Sequence, residues 1–449
     1  MLPSLNILPQ GLLRSMRYCY HLCRIGSVFD FLNELKLNYV IPKIKKNYLR
    51  ILLKRKTVLK QPHILFLVND SSKWKLQSVY AFFHQRGFKV SVVISLYGWM
   101  DSREKAEKQA RVTFDFFKKR SMNVFYAYDF SCHQPIGLEN FSPDFVFYEQ
   151  PWDIFPVHMP YKVSRYALTA YVSYDIPCTM ISKRHCALPF HRQLFVQFVM
   201  NKKWGIEIES FLKSRKTAAK IIVAGHPAFD EYQNILSNES NRQKEGTVIY
   251  APHWAFPHKN NPNMFDVSTF LWSGYVVLEY AKSHPEINWV FKPHPVLKSM
   301  LLKSGVMSTD EVEQYYNSWE KIGKCCFSSD YTGLFMQSYV LITDSMSFLL
   351  EYGCTGKPII HLVSQEQKVK FSNSYSILFD LYYKVFSPED LDKILRCVIE
   401  KREDPNFCRR KQAIEELGFF SGGGSACKKI GKYCESLLID KKVIIGKQE

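Results

Sequence analysis

The hydrophobic pattern changes character near residue 60. Beyond it, short apolar runs bounded by polar turns alternate with longer amphipathic stretches. His63–Val68 is one such run, closed by Asn69-Asp-Ser-Ser72. Trp74–Arg86 is amphipathic and stops at Gly87, and Lys89–Ile94 is a second run. Short apolar runs between turn signals predict buried strands, and amphipathic stretches of period 3.6 predict helices. Strand, helix and strand in succession predict a parallel sheet. The same reading gives a helix over 103–120, strands at Asn123–Tyr126, Asp144–Tyr148 and Ala170–Tyr174, and helical segments near 190–216. A strand at Ile221–Ala224 then ends at Gly225.

A second series starts near residue 246. Strands are predicted at Thr247–Ala251, Asn288–Lys292, Tyr339–Thr343 and Lys357–His361. Helices are predicted over 268–283, 309–321, Ser345–Tyr352, 387–401 and 424–438. Ser237–Gly246, rich in Asn, Ser and Lys, reads as the linker between the series. The fold class expected is α/β: two Rossmann-like domains facing a cleft, with ligands at the carboxyl ends of the strands. The expected division is a basic helical segment 1–60, a first domain 61–236, a second domain 237–420 and a C-terminal helix 421–449.

Composition narrows the class. A chain of 449 residues holds two to three domains, and 46% hydrophobic with 15% aromatic residues excludes wholesale disorder. No run of about 18 apolar residues is present, so no membrane-spanning helix is expected. Met1–Gln10 lacks the features of a secretory signal. The 12 cysteines form no C-x-x-C pair; Cys19 and Cys23 are four apart, and Cys325 and Cys326 are adjacent. A zinc site or disulfide framework is not expected, and reduced thiols in a cytoplasmic protein are.

The net charge is +18, and residues 1–60 carry 12 Lys or Arg against Asp30 and Glu34. From about Pro42 these cations are interleaved with Ile41, Ile44, Tyr48, Leu49, Ile51, Leu52 and Leu53. A basic amphipathic helix of this kind suits an anionic membrane surface. The alternatives are a solvated helix packed on its own domain, or nucleic acid. The last has no accompanying module and is not expected.

Four motifs follow apolar strands: Gly225-His-Pro-Ala-Phe-Asp230, Ala251-Pro-His-Trp254, Lys292-Pro-His-Pro295 and Thr343-Asp-Ser-Met-Ser347. Proline fixes the backbone and shapes a rigid exit from a strand. In the last motif Asp344 or Ser345 would cap a helix, and a bound phosphate would meet the helix N-terminus with Ser345 and Ser347. The alternative there is an ordinary capped helix. Lys292 can neutralise a diphosphate, and His294 can act as acid, base or phosphate donor. His226 and His253 occupy comparable strand ends. In the first domain Glu149-Gln-Pro-Trp-Asp153 follows a strand, and Glu149 or Asp153 would serve as base toward an acceptor hydroxyl, or the loop simply positions Trp152. No G-x-S-x-G, H-E-x-x-H or Walker A sequence occurs.

The ordered set Tyr250-Ala-Pro-His-Trp254, Lys292-Pro-His-Pro295, Ile342-Thr-Asp-Ser-Met-Ser347 and Gly356-Lys-Pro-Ile-Ile360 resembles the CDP-glycerol glycerophosphotransferase family of teichoic-acid and capsule enzymes. Ala224–Asp230 resembles that family's domain-junction turn, and Ser421-Gly-Gly-Gly-Ser425 its C-terminal signature; the resemblance covers roughly residues 140–440. It implies a GT-B-like fold, a CDP-activated donor held by the second domain, no cofactor and no essential metal. It implies a polymer or lipid-linked acceptor and a cytoplasmic protein, peripheral on the inner face of the membrane. His294 would sit near the donor phosphates, with Lys292, Thr343, Asp344, Ser345, Ser347, Lys357, His253 and His226 lining the donor site. The Trp-His-Gly element of the teichoic-acid members is absent; Glu149–Asp153 takes its place in the order. A GT-B glycosyltransferase using a CMP- or UDP-sugar shares this logic. A non-catalytic nucleotide- or polymer-binding protein is the third reading.

Overall fold

The computed structural model describes residues 28–55, 61–97, 102–176, 188–213, 215–237, 246–256, 267–328, 331–365, 371–420 and 425–439. Cys19, Cys23, the basic residues before position 28 and after Arg55, most of the expected linker and 421–424 of the glycine run lie outside them. Two compact units divide the chain. The first holds the described residues up to Tyr174, those from 188 to Ala224, and those from Cys427 onward. The second holds Asp175, Ile176 and the described residues from Gly225 to Ala426. The final helix, Ala426–Leu438, therefore joins the first unit, burying Ile430, Cys434 and Leu438 in its core.

The first unit is built on seven parallel strands: β1 (His63–Val68), β2 (Lys89–Ile94), β3 (Val124–Tyr126), β6 (Phe145–Tyr148), β7 (Leu168–Val172), β8 (Val196–Val199) and β9 (Lys220–Val223). A small antiparallel pair, β4 (Tyr128–Asp129) and β5 (Gln134–Pro135), interrupts the series. The order across the sheet is β3-β2-β1-β6-β7-β8-β9. Chain direction across the sheet thus reverses between β1 and β6, the switch point at which open α/β sheets bind ligands. β1, β6 and β7 are buried at every position, as strands covered on both faces must be.

Sequence and structure differ in informative places. β7 starts two residues earlier than expected, which leaves Tyr174 in the loop beyond it. The segment read as helical near 190–216 contains β8, a four-residue run (VQFV) with one buried polar residue, Gln197, between the helices Pro189–Gln193 and Lys202–Leu212. So short a run carries no decisive period.

The basic helix also differs. It runs from Val28 to Arg55, straight through Pro42. A helix-interior proline costs about 3 kcal/mol. Leu37, Ile41, Ile44, Tyr48 and Ile51 offset this by burying a continuous stripe in the first unit's core. Tyr48 locks the helix in place: its hydroxyl donates to the Gln193 carbonyl at 2.7 Å and accepts from Thr169 Oγ1 at 2.6 Å. Of the apolar residues expected on the amphipathic helix, Ile41, Ile44, Tyr48 and Ile51 thus pack on its own domain, while Leu49 and Leu53, together with Tyr39, stay exposed among the lysines.

The second unit repeats the design with six parallel strands: β10 (Thr247–Ala251), β11 (Trp289–Phe291), β12 (Lys324–Cys325), β13 (Ser338–Thr343), β14 (Ile359–Leu362) and β15 (Tyr383–Val385). Their order, β12-β11-β10-β13-β14-β15, is the doubly wound Rossmann order. Its switch point lies between β10 and β13. Trp289, Phe291, Tyr315 and Trp319 pack as an aromatic block under β10 and β11, with the Phe291 and Trp319 rings stacked at 5.0 Å. The helix Thr309–Ile322 starts with a full capping box, Ser308 to Glu311. Among the described residues no helix is long and apolar enough to cross a membrane.

Candidate functional site

In the second unit, the motifs after β10, β11 and β13 all leave the same edge of the sheet, at and beside the switch point. The carboxylate of Asp344 ties them together. Its Oδ1 accepts from the His253 backbone N–H at 2.5 Å, and its Oδ2 accepts from the Thr269 N–H at 2.7 Å and the Thr269 hydroxyl at 3.1 Å. Ser268 Oγ lies 3.0 Å from Oδ2 and 2.8 Å from the His253 carbonyl. Burial pushes the Asp344 carboxyl up to about 6, although these hydrogen bonds favour the anion. Thr343 is equally engaged: its hydroxyl donates to the Ala251 carbonyl at 2.6 Å and accepts the Ser345 N–H at 2.9 Å.

Asp344 and Thr343, expected at the donor phosphates, fasten the β13 exit to the β10 exit. Lys357, expected there too, has internal partners of its own. Its ammonium donates to the carbonyls of Phe335, Met336 and Ser338, closing the C-terminus of the helix Thr332–Gln337. Burial lowers its pKa to about 8. His226 is buried beside Phe229 at the start of the helix Ala228–Ser237. Its motif holds the chain that returns at residue 426. Gly225 takes a positive φ and would bring a Cβ to 3.3 Å from Ala426, and Asp230 accepts the Ala426 N–H at 2.7 Å.

What remains open to a ligand is a ring cluster beside a cation. His253 and His294 meet edge to face at 5.2 Å, and Trp254 lies 5.6 Å and 6.0 Å from them. All three are only partly buried. Lys292, from the same loop as His294, is buried, donates to the Ser328 carbonyl at 3.0 Å and lies over the Tyr331 ring at 4.6 Å. Ser345 is buried at the N-cap of the helix Met346–Glu351 and makes no capping bond, while Ser347 is exposed in its first turn.

The hydrogen bonds fix the protonation of both rings. His294 Nδ1 lies 3.2 Å from the Val296 backbone N–H, and His253 Nδ1 lies 3.1 Å from the Ala255 N–H. A backbone N–H only donates, so each Nδ1 must present a lone pair. Burial holds both rings neutral: His253 falls to about 3, helped by His294, and His294 to about 4, helped by Lys292. A neutral ring with a lone pair on Nδ1 carries its proton on Nε2. Both imidazoles are therefore N–H donors at neutral pH. Of the roles expected for His294, acid, base or phosphate contact, this tautomer suits that of a hydrogen-bond donor. The same i to i+2 bond recurs at His226, from Ala228 N–H at 3.3 Å.

The first unit's switch point has different chemistry. Glu149, at the end of β6, is buried, and its Oε1 accepts the Lys75 N–H at 3.2 Å. Burial raises it to about 8, so it holds its proton at neutral pH. Asp153 is partly exposed, takes a left-handed backbone (φ 55°) and is raised to about 6 by burial. Between them Lys73 donates to Gln150 Oε1 at 2.7 Å and lies over Tyr174, Tyr97 and Trp152 at 4.8, 5.0 and 5.8 Å. Lys73, Tyr97 and Tyr174 were not singled out from the sequence. The polar stretch Asn69–Lys73 at a strand end was the available signal. Ser268 and Thr269, just before a helix, were the equivalent signal in the second unit.

No protein-family model matches the chain, and no curated protein matches it in sequence. Solved structures match in shape. A UDP-GlcNAc 2-epimerase from Neisseria meningitidis, bound to UDP-GlcNAc, aligns over 84% of this chain and 100% of its own, at 13% identity and a TM-score of 0.51. MnaA of S. aureus, in a structure with UDP, aligns over 84% of this chain and 98% of its own, at 12% identity and 0.50. The fold is of the GT-B type. The wall teichoic acid polymerase TagF with CDPG covers 91% of this chain and 96% of its own at 12% identity and 0.48, too distant to add to the assignment.

Proposed function

We propose that this chain is a transferase that moves a glycerol-phosphate or related polyol-phosphate unit from a CDP-activated donor to a hydroxyl of a cell-surface polymer or its lipid-linked precursor. The observation that carries the reading is the pair of neutral Nε2–H donors, His253 and His294, set beside Lys292 at the switch point of the second sheet. Donors and a cation of this kind stabilise a diphosphate and the charge that develops as it is cleaved. The acceptor oxygen attacks the β-phosphorus, the bridging P–O bond breaks, and CMP leaves with that oxygen. The acceptor's proton passes to a carboxylate. Asp153 suits this better than Glu149, because a group at about 6 is ionised at neutral pH and one at about 8 is not. Ser345 and Ser347 add hydroxyl contacts on the donor side.

The second reading is a GT-B glycosyltransferase using a nucleotide sugar. It draws support from the two fold relatives, whose structures contain UDP-GlcNAc and UDP. The deciding experiment offers the purified protein CDP-glycerol, CDP-ribitol, CMP-sialic acid, CMP-Kdo and UDP-sugars, and follows thermal stabilisation and nucleotide release. Stabilisation and CMP release with a CDP-polyol alone supports phosphotransfer. Selectivity for a nucleotide sugar overturns it in favour of glycosyl transfer. Binding without release from any donor supports a binding protein.

A further inference from the structure

One cavity of the first unit belongs to neither switch point. It has a volume of about 490 Å³ and opens beside β9, the edge strand of the sheet. Five cations line it, Lys45, Lys213, Arg215, Lys216 and Lys220, against the single carboxylate of Glu209. All six residues are exposed. They come from three places: the helix Val28–Arg55, the end of the helix Lys202–Leu212, and the stretch leading into β9. Leu212 and Ile221 give the cavity an apolar floor. Like charges collected around one concavity repel each other and focus a positive potential into it, so the arrangement suits an anion.

The helix that supplies Lys45 indicates what kind of anion. Lys45 lies at one border of that helix's solvent face, where the helical spacing places it next to Leu49. Across the same face come Leu53, Lys46, Tyr39, Arg50 and Lys43. Tyr39, Leu49 and Leu53 are 67, 57 and 57% exposed. Large apolar side chains alternating with cations, unpaired with any carboxylate of their own helix face, match a surface that is apolar inside and anionic outside.

We infer that this cavity is a phosphate-headgroup site for anionic phospholipid, with the exposed Tyr39, Leu49 and Leu53 entering the lipid beside it. The inference is independent of the transfer reading and is tested without turnover. The full-length protein is sedimented with vesicles of equimolar phosphatidylglycerol and phosphatidylcholine, and with phosphatidylcholine alone. The protein is expected to pellet with the first and stay in solution with the second. Lys213→Gln, Lys216→Gln and Lys220→Gln together should lower partitioning about tenfold or more, since each basic residue near the surface contributes roughly fivefold. Lys108→Gln, Lys118→Gln and Lys119→Gln remove the same charge from the exposed surface of another helix and should leave most binding intact. Leu49→Ser with Leu53→Ser should weaken binding most at high salt, where the charge attraction is screened. Circular dichroism confirms that each variant is folded.

Equal losses in the two lysine triples would reduce the effect to net charge and overturn the site. Unchanged binding in the cavity triple would do the same. If inorganic tripolyphosphate binds in a way that depends on Lys213, Lys216 and Lys220 while vesicles do not bind, the cavity serves a soluble phosphate and the lipid assignment fails.

Discussion

The two switch points occupy the same position in sheets of the same topology, yet their chemistry is reversed. In the second unit the carboxylate, Asp344, has both oxygens used by backbone and hydroxyl donors, the partly buried His253 and His294 present N–H donors, and Lys292 is buried, held by the Ser328 carbonyl and the Tyr331 ring. In the first unit the lysine, Lys73, lies among three rings and donates to an amide oxygen. Burial raises the Glu149 carboxyl to about 8, so that it keeps its proton at neutral pH, and the Asp153 carboxyl to about 6, so that it does not. The fold supplies the same position in each unit while the loops supply the difference.

The largest effect expected from breaking this comparison is at Asp344. Asp344→Ala leaves the His253 and Thr269 amides without their acceptor in a buried place. Unpaired buried donors of charge-assisted bonds cost about 1–3 kcal/mol each, so the second unit should lose about 3 kcal/mol or more. Urea unfolding measures it, and Asp344→Asn, which keeps one acceptor oxygen, should recover part. A loss below about 1 kcal/mol would mean that the carboxylate does not fasten these loops.

Next in size is the donor pair. His253→Ala with His294→Ala should lower transfer about a hundredfold, as removal of preorganised donors does, while each single variant loses about tenfold. Ser345→Ala should lose about tenfold or less. Folding should be intact in all of them, because each ring keeps only one bond, to an amide two residues on. Full turnover in the double variant would remove the rings from the mechanism.

The sequence made the scaffold legible and the roles only partly so. Strand-end motifs with Pro and His marked the right edge of the second sheet, because a proline exit and a terminated apolar run are local signals. What could not be read was which polar atoms the fold consumes internally. Asp344, Thr343 and Lys357 look like phosphate ligands in a string of letters. Only the packing brings Ser268 and Thr269 against the first, the Ala251 carbonyl against the second and a helix C-terminus under the third. The tautomer of His294 likewise depends on a bond to Val296 that no periodicity announces. The basic helix was legible in a different measure: its apolar residues were visible, but not which of them the first unit's core would take.

At the first switch point the expected effect is on stability and its pH dependence. Glu149 stands at about 8 in the folded state against an ordinary 4.5. Its contribution is fully present below pH 4.5, where both states are protonated, and is lost as pH rises through about 8. Glu149→Gln keeps an acceptor for the Lys75 amide and carries no proton to lose. It should be more stable than the parent by more than about 1 kcal/mol at pH 8, with the gain vanishing near pH 4. Thermal melts across that range report it. A gain that does not grow with pH would mean that the carboxyl is ionised where it stands.

The smallest effect is an absence of one, and it discriminates most finely between donor and base. With His253 near 3 and His294 near 4, neither ring should titrate between pH 5 and 8. Lowered histidines add stability above about pH 6.5 that is lost as pH falls toward 4, whereas the raised Asp344 acts with the opposite sign between about 4 and 6. The two partly cancel, so global unfolding is a poor probe and the rings must be observed singly. Nitrogen-15 NMR of the imidazoles should show Nδ1 as the unprotonated and Nε2 as the protonated nitrogen, unchanged from pH 8 to pH 5. Either ring titrating near 6.5 would restore it as an acid–base group and make the two switch points alike in kind, each carrying groups that exchange protons near neutral pH.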